Sequence, residues 1–255
     1  MRRTKLYRYL RWKILDSWPY LAWTDIFNPA NLLLAWRLFP YTQQNLAGLL
    51  NVRRLARLLD QRGVPGAFVE CGIWRGGCAA VMGRAAEASG RQLWLFDSFE
   101  GMPEASSRDI GDAAEELSHG RNSGAMVPVG SNVASLQEVS EFLHRKMRIA
   151  ENTIVIKKGW FQNTVPSACH EIGSIAMLRI DADWYESTLV CLEELYDNVV
   201  DGGFIIIDDY GWFPGCRAAV DEFLASRNLT PQLVTVDYTR VYFQKNGASH
   251  KAVKA

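Results

Sequence analysis

From residue 46 onward the hydrophobic positions follow two alternating patterns: short apolar runs, and stripes that recur at helical spacing. Leu49, Leu50, Val52, Leu55, Leu58 and Leu59 form one face of a helix over 46–61, which Gly63 and Pro65-Gly66 bring to an end. Ala67-Phe68-Val69 opens a first strand, followed by a helix over 78–88 and a second strand over 92–96. Residues 98–126 are polar and poorly patterned, with Gly101, Pro103, Gly111 and Gly120, and predict a long loop holding one short helix at 113–117. An amphipathic helix over 136–147 and a third strand over 153–157 come next. Residues 175–180 and 203–207 are apolar runs again. Between them Leu189, Leu192, Leu195, Tyr196 and Val199 predict a helix over 186–200. A helix over 215–226, with Ala219, Val220, Phe223 and Leu224 on one face, leads to two last strands, 233–236 and 240–244. Their short connection makes them an antiparallel hairpin.

Strand, helix, strand is a βαβ unit whose strands run parallel. The pattern therefore predicts an α/β fold: a Rossmann-like, doubly wound sheet of about five parallel strands, closed by a C-terminal antiparallel hairpin. Ahead of it, residues 21–45 are rich in aromatics and broken by Pro29 and Pro40, which predicts short helices and loops able to cover a site. Arg2, Arg3, Lys5, Arg8, Arg11 and Lys13 alternate with Leu6, Tyr7, Leu10, Trp12 and Ile14, the pattern of a basic amphipathic helix over 1–20. Two readings stand for it: docking on an anionic membrane surface or a partner, and a solvated arm packed on the domain or on a second subunit. The chain thus divides into an N-terminal helical arm or lid (1–45), a core domain (46–246) and a disordered tail (247–255).

A length of 255 residues, 48% of them hydrophobic, and a formal net charge of zero suit one large domain with an appendage, and give no case for nucleic acid. Five cysteines, an odd number without paired spacing, exclude a zinc motif or a disulfide framework and point to a reducing, cytoplasmic compartment. No apolar run reaches the roughly 18–20 residues of a membrane helix. The longest candidate, 18–41, is interrupted by Asp25, Asn28, Pro29 and Arg37. No clean apolar segment of a signal peptide follows the basic start.

The chemistry gathers at strand ends. The strands at 175–180 and 203–207 run into Asp181 and Asp183, and into Asp208 and Asp209, on the edge of the sheet where such folds bind ligands. That much negative charge in one place calls for a cation. Bland roles stand beside this one: Asp208 and Asp209 capping the next helix, and Asp181 and Asp183 pairing with Arg179 and Arg217. After the first strand, Glu70-Cys71-Gly72-Ile73-Trp74-Arg75-Gly76-Gly77 is a glycine-bearing turn that brings backbone N–H groups up to a ligand. Its spacing is not that of the dinucleotide motif. Asp97, at the end of the second strand, stands where an acid accepts from ribose hydroxyls, or caps a turn. Trp160, Trp184 and Trp212 all follow strand ends, either as core packing or as stacking surfaces for adenine or a sugar. His119, in the long loop, is a candidate helper base; His144, His170 and His250 show no ligand spacing. Parallel strands with a terminal hairpin favour an S-adenosylmethionine-dependent methyltransferase over a dehydrogenase.

The segments 69–77, 96–103 (Phe-Asp-Ser-Phe-Glu-Gly-Met-Pro), 159–161 (Gly-Trp-Phe), 179–188 (Arg-Ile-Asp-Ala-Asp-Trp-Tyr-Glu-Ser-Thr) and 202–210 (Gly-Gly-Phe-Ile-Ile-Ile-Asp-Asp-Tyr) resemble, in order and spacing, the motifs of the macrocin O-methyltransferase (TylF-type) family. The resemblance runs from about residue 40 to 245, and the basic arm lies outside it. It implies magnesium-dependent transfer of a methyl group from S-adenosylmethionine to a hydroxyl, typically on a sugar of a natural product. Residue by residue, Asp181, Asp208 and Asp209 match the metal ligands and Asp183 the general base. Glu70, Cys71, Gly72, Ile73, Trp74, Gly76, Asp97, Ser98, Gly159, Trp160 and Asp181 match the cofactor site, and Thr42 loosely matches a threonine that closes over it. Cys78 departs from the serine usual after the glycine pair, which bears on one hydrogen bond to the cofactor. A homo-oligomer is expected as well.

The chemistry is coherent without the family. A sugar hydroxyl ionises far above neutral pH, and a divalent cation stabilises its developing charge. Magnesium takes oxygen ligands in octahedral geometry, so an acceptor with neighbouring oxygens, such as a vicinal diol, would complete the set. A carboxylate not bound to the metal can take the proton. Asp183, two residues beyond Asp181 on an extended segment, would point the same way. Two rivals remain open from the residues alone: a metal-dependent phosphoester hydrolase, and a non-catalytic carbohydrate- or nucleotide-binding protein of this fold.

Overall fold

The computed structural model describes residue 11 and residues 13–246. Most of the expected basic helix, residues 1–10 and 12, and the tail 247–255 lie outside the described residues. A tight 3-10 segment, Leu15–Tyr20, and a single turn, Trp23–Ile26, lead into α1 (Pro29–Leu38). Asn28 caps α1, its side chain accepting from the Ala30 N–H, with Pro29 at the first helical position, where its missing N–H costs nothing.

The core begins with α2 (Leu46–Gln61), capped by the Asn45 side chain on the Gly48 N–H at 2.9 Å. There follow β1 (Ala67–Cys71), α3 (Gly77–Ala88), β2 (Leu93–Asp97), α4 (Asp112–Ser118), α5 (Leu136–Ser140), β3 (Ile154–Lys158), α6 (Phe161–Ile172), β4 (Ile175–Ile180), α7 (Tyr185–Leu195), β5 (Val199–Ile207), α8 (Pro214–Ser226), β6 (Val234–Thr235) and β7 (Val241–Gln244). The sheet order is β3-β2-β1-β4-β5-β7-β6. The first five strands are parallel, and β7 runs antiparallel to both β5 and β6. This is the expected doubly wound sheet with its closing hairpin. Chain order reverses between β1 and β4, so the carboxyl ends of those strands open a crevice.

Alternation along the strands sorts side chains into two cores. Phe68 and Met177 pack with α2, α3 and the 139–149 region on one face. Val69, Cys71, Leu178 and Ile180 pack with α6, α7 and α8 on the other.

Several boundaries differ from the sequence expectation. The helix expected over 186–200 stops at Leu195, because Val199 already pairs with Ile175 as the start of β5. α6 has no counterpart in the expectation. Pro166 sits inside it and obscures the stripe that Val165, Ala168, Cys169 and Ile172 bury. The helix expected over 136–147 is α-helical only to Ser140 and then widens through 141–146, where the Met147 N–H donates to the Phe142 carbonyl. The segment after Asp181 is not extended: Asp183 takes φ 57° and the Trp184 N–H turns back to the Ala182 carbonyl.

Candidate active site

A cavity of about 450 Å³ opens at the carboxyl ends of β1 to β5. Its first wall is the turn after β1. Gly72 takes φ 87° and lies so close to β4 that a Cβ there would stand 1.9 Å from the Asp181 carbonyl oxygen. Only glycine permits that approach, and it brings the Ile73 and Trp74 N–H groups to Asp97 Oδ2, at 2.8 and 3.2 Å. The Phe99 N–H donates to Asp97 Oδ1 at 2.7 Å. Burial pushes the Asp97 carboxyl up, and these three donors pull it back. The acid expected to hold ribose thus first fastens the glycine turn to the end of β2.

Glu70 and Arg179 are register partners on β1 and β4, on the same face of the sheet. Arg179, 1% exposed, donates to Glu70 Oε1 at 2.6 Å, to Asp181 Oδ2 at 2.8 Å and to Asp208 Oδ1 at 2.7 Å. Arg240, at the start of the hairpin's last strand, reaches Asp208 Oδ1 at 2.8 Å and Asp237 Oδ2 at 2.5 Å. The Gln44 side chain donates to the same Asp208 oxygen at 2.6 Å. Burial opposes the charge on Asp208, but Arg179 and Arg240 outweigh it and hold this carboxyl well below the usual range. The other acids move the opposite way. Burial and then Asp208 raise Asp181, with Arg179 pulling back. Burial and the neighbouring acids Asp181 and Asp208 push Asp183 up to about 8. Asp209 is raised by burial and by Asp183, with which it shares a hydrogen bond. Burial pushes Glu70 up to about 7 against the pull of Arg179 and the Cys78 thiol.

Six carboxyls, Glu70, Asp181, Asp183, Asp208, Asp209 and Asp237, therefore share two guanidiniums, Arg179 and Arg240. Asp181, Asp208 and Asp209 each offer an oxygen within 4.8 Å of the others. Asp209 Oδ2 is buried and has no hydrogen-bond partner. An unsatisfied buried oxygen amid more carboxyls than guanidiniums fits a hard divalent cation, because oxygen donors are what such a cation takes.

The family follows from the whole chain. A model of the macrocin-O-methyltransferase (TylF) family matches residues 34–245. The chain belongs to the macrocin O-methyltransferase family. The demethyldecarbamoylnovobiocin O-methyltransferase of Streptomyces niveus is 34% identical over 213 residues, 82% of this chain and 78% of that protein. A tetracenomycin-C derivative 4'-O-methyltransferase of Streptomyces olivaceus, whose substrate carries a dimethoxy-rhamnosyl group, is 32% identical over 230 residues, 89% of this chain and 84% of that one. The solved structure of the O-methyltransferase NovP superposes with a TM-score of 0.69 at 34% identity, covering 81% and 82% of the two chains. The protein is accordingly an O-methyltransferase with the class I sheet.

Among the candidates, Thr42, Glu70, Gly72, Ile73, Trp74, Cys78, Asp97, Ser98, Trp160, Asp181, Asp183, Asp208 and Asp209 line this methyltransferase's cavity. Cys71, Gly76 and Gly159 do not. Cys71 lies one residue beyond Glu70, so strand alternation turns it to the opposite core, beside Cys191. A Cβ on Gly76 would meet Phe142 and Val139, on the outer side of the turn. Gly159 is fastened through its N–H to the Asp97 carbonyl. Trp184 is a core residue, 2% exposed, with its Nε1–H on the Pro103 carbonyl, so it offers no face to a ligand. Trp160 and Trp212 do line the cavity. His119 ends α4 on the surface, outside the cavity wall, 3.4 Å from Ser131 Oγ. Arg217 holds the Tyr210 carbonyl rather than an aspartate.

Sequence reasoning missed Gln44 and Arg240, and treated Arg179 only as a pairing partner. Arg179 was within reach of pattern alone: a charged residue inside an otherwise apolar strand is buried and needs acids around it. Gln44 and Arg240 gave no such signal.

Proposed function

We propose that the enzyme transfers a methyl group from S-adenosylmethionine to a hydroxyl of a sugar on a glycosylated natural product or glycan, with magnesium held by Asp181, Asp208 and Asp209. The observation that carries this reading is one cavity that joins the glycine turn and Asp97 to the aspartate cluster. The relative whose substrate carries a dimethoxy-rhamnosyl group supports the acceptor class.

When bound, magnesium would supply Lewis acidity toward the acceptor hydroxyl. The chain supplies the rest. The turn 72–74, its N–H groups held by the Phe96 carbonyl and Asp97, forms a fixed wall against which the cofactor can lie, and Thr42 and Trp160 stand in the same wall. Arg179, Arg240 and Gln44 fix Asp208 so that its position does not depend on the ligand. Asp183, which neighbours Asp209 and contributes no oxygen to the three-carboxylate cluster, is placed to take the hydroxyl proton in its ionised form, which a bound cation would favour. Trp212, edge-on to Tyr238 at 6.1 Å between ring centroids, gives the cavity an aromatic wall against which a sugar ring can lie. Water exclusion and in-line placement of the two reactants then account for the acceleration. The hydrolase and the binding-protein readings give way to the family.

The test is methyl transfer from labelled S-adenosylmethionine to a panel of glycosides with vicinal diols, against their deoxy analogues. Transfer to the diols that is lost on adding EDTA supports the reading. Transfer that persists in EDTA would remove the metal from it, and turnover of only non-sugar phenols would remove the sugar.

A further inference from the structure

A second cavity, of about 460 Å³, lies between the N-terminal segment, α2 and the hairpin strands. Arg53, Arg54 and Arg57 line it, and Asp25 is the one carboxylate among the described residues of its wall. Three guanidiniums against one carboxylate leave two positive charges. Arg54 and Arg57 are exposed. Arg53 donates to the Asn31 side chain and is pushed below the usual guanidinium value by burial and then by Arg57. Asn51, 7% exposed and in the same wall, has a side-chain oxygen with no hydrogen-bond partner. Nothing in methyl transfer uses these groups.

The rim of this cavity continues into exposed aromatic surface. Tyr20 belongs to the wall and is 42% exposed. Trp18 stands edge-on to Trp23 at 5.6 Å, and Trp23 stacks on Phe27 at 6.0 Å. Just beyond, α1 buries Asn31, Ala35 and Leu38 and leaves Leu32, Leu33 and Trp36 outside. Exposures of 65% for Trp23, 69% for Phe27 and 75% for Trp36 are far from core values. Scattered surface apolar residues need no explanation, but a run of adjoining large ones marks an interaction site. Arg2, Arg3, Lys5 and Arg8 precede this segment in the sequence and lie outside the described residues.

We propose that this face docks the enzyme on an anionic lipid bilayer, the aromatic row entering the headgroup layer and the arginines of the second cavity taking lipid phosphates. Tryptophan and tyrosine favour the membrane–water boundary, and basic side chains beside them are drawn to anionic headgroups. A second copy of the chain fits this face less well. A two-fold contact would gather both copies' arginines into one interface, with Asp25 the carboxylate of this wall to offset them and Asp16 already paired with Arg11. Docking goes beyond the methyl-transfer reading and stands apart from it, since it needs neither cofactor nor acceptor.

The experiment is sedimentation of the full chain with vesicles of phosphatidylcholine alone and of phosphatidylcholine mixed with phosphatidylglycerol. Binding is expected to the anionic vesicles only, and to fall as salt is added. Each exposed arginine removed should weaken partition about fivefold, so Arg54→Gln with Arg57→Gln costs roughly twenty-five-fold. Trp23→Ser with Trp36→Ser should also release the protein, while S-adenosylhomocysteine still raises the melting temperature, showing an intact fold. Equal sedimentation with neutral vesicles would overturn the electrostatic part. Absence from both would overturn the proposal. So would a dimer that the two tryptophan substitutions convert to monomer.

Discussion

Arg179 donates to Glu70, Asp181 and Asp208 at once, so one guanidinium from β4 ties together acids from three strands. Asp183 stands outside that tie, and its role is tested by Asp183→Asn. Loss of a proton acceptor should lower kcat by about a hundredfold to ten-thousandfold, with S-adenosylhomocysteine affinity unchanged by calorimetry. Lys13 is a second telling residue. It is 1% exposed and donates to the Thr42 and Gln44 carbonyls at 2.6 and 2.7 Å, which places the N-terminal segment directly behind the residue that holds Asp208. Burial, and then Arg240, bring it down to about 7 from 10.5. Below about pH 7 the lysine is charged in the folded and the unfolded chain. Above that, the folded chain has released a proton that the unfolded chain still holds, so stability rises with pH until the ordinary lysine range. Urea midpoints of the wild type relative to Lys13→Met should therefore improve between pH 7 and 9, with an upper limit of about 2 kcal/mol. A flat difference would mean that the ammonium is solvated.

At the scale of elements, the closest fit is the crossing of the β1 turn and β4. Gly72→Ala would drive a Cβ into the Asp181 carbonyl at 1.9 Å, and the clash is with backbone on both sides. A loss of about 3 kcal/mol or more is expected, together with loss of cofactor binding. Gly90, at φ 67°, is the control: a Cβ there meets nothing within 4 Å, so Gly90→Ala should cost only the left-handed strain, about 1 kcal/mol. Denaturant midpoints of the two variants separate packing from backbone strain. The same scale shows where pattern reading falls short. The α6 stripe at 165, 168, 169 and 172 was present in the sequence, but Pro166 within it signals a break. The end of α7 was obscured because Val199 suits a helix stripe and a strand equally, and pairing with Ile175 decides for the strand.

For the molecule as a whole, a cation held by the surplus of carboxyls over guanidiniums at the strand ends would link metal to stability. A cation bound only by the folded chain, at about a hundred times its dissociation constant, stabilises by about 2.7 kcal/mol, which for a domain of this size raises the melting temperature by roughly 5–11 °C. Differential scanning calorimetry with magnesium and with EDTA should show that rise, and Asp181→Asn should abolish it while keeping the rise that S-adenosylhomocysteine gives. A magnesium rise that survives in the variant would place the ion elsewhere. No helix among the described residues is long and apolar enough to cross a bilayer.

The sequence by itself determined the order of the strands, most of the helices between them, the closing hairpin and the acids at the strand ends. Those are local properties: period and alternation are written residue by residue, and a strand's end is where its apolar run stops. Tertiary structure alone decided which charges meet. Lys13, Gln44, Arg179, Asp208 and Arg240 lie far apart along the chain, and only the register of β1, β4 and β5, with the hairpin folded back beside them, closes the distances. It also decided that Trp184 is core while Trp212 faces the cavity, and that the aromatics of the N-terminal segment face outward. An aromatic residue has the same sequence signature in a core, in a site or on a docking face, and burial is fixed by its neighbours in space.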